Sequence, residues 1–417
     1  MFSFLKKCRI CSSDELKTYL SLGSMPLANN LVEPQSQEQD LFFPLEVCLC
    51  NKCFLSQLTV IVKPEILFSN YYYMTSVSAT FKQHFQELGK VAKSFFPDTK
   101  NPLVLDIASN DGCLLLEFKK KGFETLGVEP AKNLVKIAEE AGIHTIPEFW
   151  SETAVKKILK NGKKPNIVTA TNVFAHVSDV HDFIKNVKRV MSNDGIFIVE
   201  VPHALNLVQK NQFDTIYHEH LSYFLVKPLL TLFSMEGMEV FDVENISTHG
   251  GSIRVFVKFP QNKNIPTKSD KIGQFVKEEE KNNLYDKEEY GKFADRVMQS
   301  KIDFLQLLLN LKKTGKVVAG YGAAAKASTL LNYCGAGTNL VNYIVDDSPL
   351  KQGKAFAGNR IPIYPSKVMQ KSKPDYLILF AWTIARELMS KTRDLQPKIK
   401  YVIPLPSPKI VSNENDL

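Results

Sequence analysis

Val104-Leu105-Asp106-Ile107-Ala108-Ser109-Asn110-Asp111-Gly112 passes from an apolar run into small and polar residues, and residues 114–119 follow with an apolar helical pattern. This reads as strand, turn and helix. Such a turn lets the backbone approach a ligand closely, with the helix N-terminus facing it. The turn is glycine-poor, because Ala108 stands where glycine is usual, and alone it says little. The next strand strengthens it. Leu126-Gly127-Val128-Glu129-Pro130 ends in Glu129, 23 positions beyond Asp106 (129 − 106), where a carboxylate can accept hydrogen bonds from both ribose hydroxyls. NAD would use the same geometry. Two features favour S-adenosylmethionine: Ser109-Asn110-Asp111 replaces a glycine-rich pyrophosphate cradle, and Asp111 can pair with the amino group of a methionine moiety.

Outward from this turn, strands and helices alternate from about residue 71 to 260. Candidate strands are 103–106, 124–128, 167–170, 196–200, 238–243 and 253–258, a pattern that predicts βαβ units and a mostly parallel sheet. Residues 262–290 are rich in Lys and Glu without apolar periodicity and read as a polar linker. A long amphipathic helix follows, carrying Phe293, Val297, Ile302, Leu305 and Leu308. A second alternating unit opens at Lys316-Val317-Val318-Ala319-Gly320-Tyr321-Gly322, with further strands at 340–345 and 376–380.

The 417 residues are too many for one ordinary core. The segments predict an α/β protein of three parts. Residues 1–65 form a small N-terminal zinc-binding domain, and 66–262 a central Rossmann-like class I methyltransferase domain. The linker, the long helix and a smaller C-terminal Rossmann-like α/β domain occupy 263–417. With 44% hydrophobic and 23% charged residues the composition is that of a folded chain. No apolar run is long enough to span a bilayer, and the N-terminus lacks the pattern of a signal peptide, so a cytoplasmic location is expected. The net charge of +8 is spread in short clusters without interleaved aromatics. It fits an anionic small substrate as well as a polynucleotide.

Five of the seven cysteines fall in the first 53 residues: Cys8, Cys11, Cys48, Cys50 and Cys53. Cys8-x-x-Cys11 and Cys50-x-x-Cys53 can each present two sulfurs to one tetrahedral ion, which predicts a structural four-thiolate zinc site. Cys48 is an alternative ligand with poorer spacing, and unliganded core cysteines are the bland alternative.

Tyr217-His218-Glu219-His220-Leu221-Ser222-Tyr223 is the densest group of acid–base residues. It is not a zincin helix, because Ser222 stands four residues after His218. In an extended segment His218 and His220 would share one face and Glu219 the other. Histidine suits proton abstraction from carbon beside a carbonyl; a structural role is the competing reading. The Gly320-Tyr321-Gly322-Ala323-Ala324-Ala325-Lys326 turn offers amides and a cation to a phosphate, or is simply a packing turn.

In order along nearly the whole chain stand the two CxxC turns, Pro26-Leu27-Ala28-Asn29, Phe43-Pro44-Leu45, Ser109-Asn110-Asp111-Gly112, Gly127-Val128-Glu129-Pro130 and Asn172-Val173-Phe174-Ala175-His176. Phe213-Asp214-Thr215-Ile216-Tyr217-His218-Glu219-His220, His249-Gly250-Gly251-Ser252, Gly320-Tyr321-Gly322-Ala323 and Lys351-Gln352-Gly353 follow. Together they resemble the sugar C-methyltransferases of deoxysugar biosynthesis, which act on nucleotide-linked 4-ketohexoses.

The resemblance implies S-adenosylmethionine held by Asp106, Ala108, Ser109, Asn110, Asp111, Gly112, Glu129, Pro130, Asn172 and His176. It implies His220 as the base, with Glu219, Tyr217 and His218 nearby and a tyrosine of the 71–73 segment, best matched by Tyr73, assisting. His249, Gly250, Gly251, Ser252, Tyr321, Lys326 and Lys351 would contact a nucleotide-diphosphate-linked ketosugar. The expected reaction is methylation of the carbon beside the ketone, C3 next to C4, through an enolate. A monomer or weak homo-oligomer is expected, with neither nucleic acid nor membrane as partner. The alternatives are a zinc-ribbon nucleic-acid methyltransferase and an NAD-dependent nucleotide-sugar enzyme.

Overall fold

The computed structural model describes residues 1–69, 71, 74–77, 79–160 and 162–416. Its centre is a seven-stranded sheet in the order Glu239–Ile246, Ser252–Lys258, Ile196–Pro202, Ile167–Thr171, Leu103–Ile107, Glu124–Val128 and Thr145–Ile146. From Ile196–Pro202 to Thr145–Ile146 the strands run parallel, while Ser252–Lys258 and Glu239–Ile246 close the other edge antiparallel. Leu103–Ile107 is buried at every position. Burial without alternation, in a run broken only by Asp106, belongs to a sheet covered on both faces. The chain winds outward from Leu103–Ile107 to one edge, then returns to Ile167–Thr171 on its other side. The carboxyl ends of these two strands therefore flank the topological switch, where doubly wound sheets open a crevice.

The N-terminal residues do not stand apart. Their antiparallel sheet runs Ser222–Tyr223, Ser56–Leu58, Phe42–Cys50, Leu16–Pro26, so its edge strand comes from the central segment, two residues beyond His220. Leu31–Val32 pairs with Ala355–Phe356, and Arg360 reaches Asp40 at 3.1 Å, tying the same region to the C-terminal unit. One apolar core joins the N-terminal sheet, the long helix and the C-terminal sheet. A second includes Cys8, Ile10, Cys50 and Cys53 with Val180, Phe183 and Ile184.

The C-terminal sheet orders Ile363–Tyr364, Tyr343–Val345, Val318–Tyr321, Tyr376–Leu379, Lys400–Ile403 and Lys409–Val411, parallel except at the last strand. It is the second doubly wound unit that the alternating pattern predicts. The expected polar linker is instead a helix over Ser269–Lys281. Its buried Ile272, Phe275 and Glu279, spaced three and four apart, form a narrow stripe that the surrounding Lys and Glu hide from a composition-based reading. Glu279 is fully buried because it accepts from His203 and from the Val226 amide that opens the helix Val226–Met235. The long helix runs Lys287–Lys313. Its buried seam is Phe293, Val297, Ser300, Phe304, Leu308 and Leu311; Ile302, expected on that face, is 52% exposed. No helix among the described residues is long and apolar enough to cross a membrane.

Candidate active site

The turn after Leu103–Ile107 is built from left-handed residues: Ala108 has φ 56°, Asn110 φ 51° and Gly112 φ 77°. Ala108 thus takes a conformation that glycine adopts freely and alanine does not. Glu129 is buried, accepting from the amides of Asn110 (2.9 Å) and Ala131 (2.8 Å), which locks the turn to the end of the next strand. Burial pushes Glu129 up to about 6 despite those donors. Gly127 must be glycine, since a Cβ there would lie 2.5 Å from Ser109 Oγ. Asp106 lies deeper in the strand, bonded to Thr169 Oγ1 at 2.6 Å, and burial raises it to about 7. Asp111 accepts from the Ser76 amide at 2.9 Å and the Cys113 amide at 3.3 Å, so the segment after the tyrosines is tied down over the turn.

Two buried polar atoms at this crevice lack partners among the described residues: Ser109 Oγ, and Oδ1 of Asn172, whose φ is 58°. Unsatisfied buried groups are rare unless a ligand uses them. A buried acidic side chain locked to the turn, the tight turn itself and orphaned polar atoms fit S-adenosylmethionine.

Residues 217–220 form a turn, not the extended segment expected, because the His220 amide donates to the Tyr217 carbonyl. The two histidines consequently diverge. His218 is buried against Phe43 and its Nε2 donates to the Pro44 carbonyl at 3.2 Å, toward the N-terminal sheet. His220 faces the crevice side, stacked on His176 at 5.1 Å. Its Nδ1 donates to the Thr215 carbonyl at 2.8 Å, leaving Nε2 as an acceptor 2.9 Å from the Tyr217 hydroxyl. Burial, helped by the charge of Lys326, pushes His220 down to about 4, so the ring is neutral near pH 7. Glu219 is buried between Asn29 Nδ2 (2.6 Å) and the Tyr71 hydroxyl (3.0 Å), and burial raises it to about 7. Tyr73, with Tyr72, lies outside the described residues.

His249 has φ 54° and packs against Phe81; burial and the nearby Lys326 charge hold it down to about 3. Gly251 follows at φ 119°, where a Cβ would strike Asn206 Nδ2 at 2.5 Å. The Gly250 carbonyl accepts from Gln212, and Ser252 Oγ donates to the Thr248 carbonyl. From the C-terminal unit, Lys326 lies over the Trp382 ring at 5.4 Å, and Trp382 Nε1 donates to Asp214 at 2.9 Å. Tyr321 donates to Asp347, while Lys351 donates to the Ala323 carbonyl and Asp346 accepts from the Ala323 amide. The anion position at that turn is thus already filled by Asp346.

Cys8, Cys11, Cys50 and Cys53 place their sulfurs within 4.8 Å of one another, with Cys8–Cys53 at 3.4 Å and Cys11–Cys50 at 3.5 Å. Four ligands at about 2.3 Å around a tetrahedral zinc stand about 3.8 Å apart, so the cluster fits that ion. Cys48 is not part of it.

The sequence reading missed Asn29, Thr215, Asp214 and Trp382. Asn29, Asp214 and Thr215 lie inside the motifs that carry the resemblance, although the Thr215 group that acts is a backbone carbonyl that no side-chain pattern marks, whereas Trp382 has no sequence signal.

A model described as a putative zinc binding domain matches residues 8–68, one described as a methyltransferase domain 81–243, and one described as a C-methyltransferase C-terminal domain 247–406. The C-methyltransferase NovU of Streptomyces niveus is 34% identical over 420 residues, covering 99% of this chain and 98% of its own. A ubiquinone biosynthesis O-methyltransferase of Azorhizobium caulinodans is 30% identical over 118 residues, 27% of this chain and 45% of its own. Among solved structures, the PH0226 protein of Pyrococcus horikoshii has a TM-score of 0.37 at 16% identity, over 45% of this chain and 94% of its own. Magnesium protoporphyrin IX methyltransferase of Synechocystis with bound SAH has a TM-score of 0.35 at 12% identity, over 43% of this chain and 82% of its own. With its zinc-binding, methyltransferase and C-methyltransferase segments in one chain, the protein belongs to the sugar C-methyltransferase family and is an S-adenosylmethionine-dependent C-methyltransferase.

Proposed function

We propose that the substrate is a nucleotide-diphosphate-linked 4-keto-deoxysugar and that the methyl group is placed on C3, beside the ketone. The observation that carries this reading is the single tautomer imposed on His220: Nδ1 is committed to Thr215, so Nε2 holds the basic lone pair, which accepts from the Tyr217 hydroxyl until substrate takes its place, and burial keeps the ring neutral. A neutral imidazole in an enclosed site is a base suited to a carbon acid made acidic by an adjacent ketone.

Nε2 takes the C3 proton, and the C–H electron pair passes into the C3–C4–O enolate. The Tyr217 hydroxyl, next to Nε2, then donates to the enolate oxygen; preorganised donors of this kind are often the largest catalytic contribution. His176, assigned from sequence to the cofactor, stacks on His220 and joins the proton-transfer cluster in this reading. Bound S-adenosylmethionine, held by Glu129 and the Ser109–Asp111 turn with Asn172 at the crevice edge, supplies the electrophilic methyl group. Lys326 and His249 meet the charged and polar part of the nucleotide sugar. Tyr321 and Lys351 brace the turn behind Lys326 by their bonds to Asp347 and Ala323. A cytoplasmic biosynthetic role accords with such a substrate.

His220→Asn tests the reading. The variant is expected to keep S-adenosylmethionine affinity while losing both methyl transfer and solvent-deuterium exchange at the substrate carbon. Normal exchange in that variant would remove His220 as the base.

A further inference from the structure

Arg9 lies inside the first Cys-x-x-Cys turn, yet its side chain is buried, with only 7% of the residue exposed. Nη1 donates to Gln57 Oε1 at 3.2 Å and to the Leu58 carbonyl at 3.1 Å, and the Arg9 amide donates to the same Gln57 oxygen at 3.1 Å. No carboxylate pairs with the guanidinium among the described residues, and its Nε and Nη2 are buried without an acceptor. Gln57 is wholly buried; with Oε1 held by two donors, its Nε2 is turned the other way and is equally unpartnered. Gln57 accepts from the amide of Arg9, the residue next to the ligand Cys8, and the guanidinium returns from the same turn to that one oxygen, so both side chains pack at the base of the four-sulfur cluster.

A buried cation without a counter-charge is costly, and buried donors without acceptors add to the cost. Both deficits close if the acceptor is the metal centre itself. Four thiolates around one divalent zinc leave about two net negative charges, spread over sulfurs that accept hydrogen bonds.

We propose that Arg9 and Gln57 are positioning residues of the zinc centre, the guanidinium supplying its counter-charge and Gln57 Nε2 donating to the Cys8 sulfur. The Cys-x-x-Cys turn then carries its own neutralising charge between its two ligands. The pair also links the metal to the antiparallel sheet, since Gln57 stands opposite Ser222 in the strand pairing.

The zinc-loaded full-length chain tests this. Zinc transfer to the chromogenic chelator 4-(2-pyridylazo)resorcinol is followed in native buffer, and the sulfur-to-cobalt charge-transfer band is recorded after cobalt substitution. Arg9→Met and Gln57→Leu are each expected to release zinc about 10- to 100-fold faster, the usual effect of removing an outer partner of a metal ligand. Gln57→Leu should also shift the cobalt band, and Arg9→Lys should restore most of the retention. Wild-type release and an unshifted band in Gln57→Leu would overturn the proposal even if Arg9→Met failed to fold. So would variants that melt earlier yet release zinc at the wild-type rate, or an Arg9→Lys variant as leaky as Arg9→Met.

Discussion

The Thr215 carbonyl oxygen lies 2.8 Å from Nδ1 of His220 and decides which ring nitrogen carries the proton. Thr215 closes the short 3-10 turn Phe213–Thr215, and its neighbour Asp214 accepts from Trp382 of the C-terminal unit. The tautomer of the proposed base therefore depends on a backbone atom braced from another sheet.

The first prediction is a pH dependence. Burial, and next to it the Lys326 charge, hold His220 down to about 4. The acid limb of kcat/KM is expected to fall near pH 4 instead of near the usual histidine value of about 6.5. Lys326→Met should move the limb upward by removing the repelling charge. Stability responds to the same depression. The unfolded chain binds the histidine proton first, so His220, with His218 and His249, contributes stability that is lost as pH falls from about 6.5 toward 4. The raised carboxyls of Asp106, Glu219 and Glu129 act in the opposite sense over the same range, so the His220 contribution is read as the difference between wild type and His220→Asn. Denaturant titrations at pH 7 and pH 5 measure it.

The second concerns Glu219. Asn29 Nδ2 donates to it at 2.6 Å from the far side of the N-terminal sheet, and burial already holds the carboxyl near 7. Asn29→Leu removes one of its two side-chain donors. A buried acceptor left unsatisfied costs about 1–3 kcal/mol, which denaturant unfolding should show. A lowered kcat is also expected, because Glu219 sits in the turn that carries His220, while S-adenosylmethionine affinity stays unchanged because Glu129 and its turn are untouched.

Much of this was legible beforehand. The strands from 103 to 128 announced themselves because strands of a buried parallel sheet are largely apolar, and Glu129 because the residue that ends the second strand of such a unit has a fixed place. The cysteine pairs were readable for the same reason: tetrahedral ligation constrains the spacing within each turn. Family membership settles S-adenosylmethionine against NAD and C-methylation against nucleic-acid modification. What stayed hidden was local or long-range. The turn at 217–220 hides because four residues carry no period; an extended segment would put His218 and His220 on one face, and in the turn they point apart. Asn29 meets Glu219 across 190 positions, a distance no local pattern encodes. Ile272, Phe275 and Glu279 vanish among charged neighbours because three buried positions suffice to dock a helix that covers an edge.

The third prediction isolates the cofactor turn. Glu129 accepts from the amides of Asn110 and Ala131, so its loss frees the turn and, in the proposed reading, removes a ribose partner. Hydrogen bonds to charged groups contribute about 1.5–3 kcal/mol. Glu129→Ala is therefore expected to weaken S-adenosylmethionine binding by about 10- to 100-fold in calorimetry. Zinc content should be unchanged, since the four cysteines lie in a different part of the fold.

The fourth concerns metal removal. Cys50 and Cys53 flank the turn that leads into Ser56–Leu58, and that strand pairs with Ser222–Tyr223, two residues beyond His220. A zinc site supplies folding free energy that a small sheet lacks. Stripping the ion is expected to lower hydrogen-exchange protection first at residues 50–58 and then at 222–223. The central parallel sheet shares one apolar face with the cysteine region but keeps the other, around Val104, Ile167, Ile196 and Ile198, and should keep its protection and its S-adenosylmethionine affinity. Methyl transfer should nonetheless fail, because the strand that anchors the His220 turn has lost its partner. An apo protein with protected 222–223 amides and full activity would show that the turn is held by Thr215 and Trp382 alone. If zinc restores activity to the stripped chain, it acts on the base through hydrogen-bonded strands without approaching the chemistry.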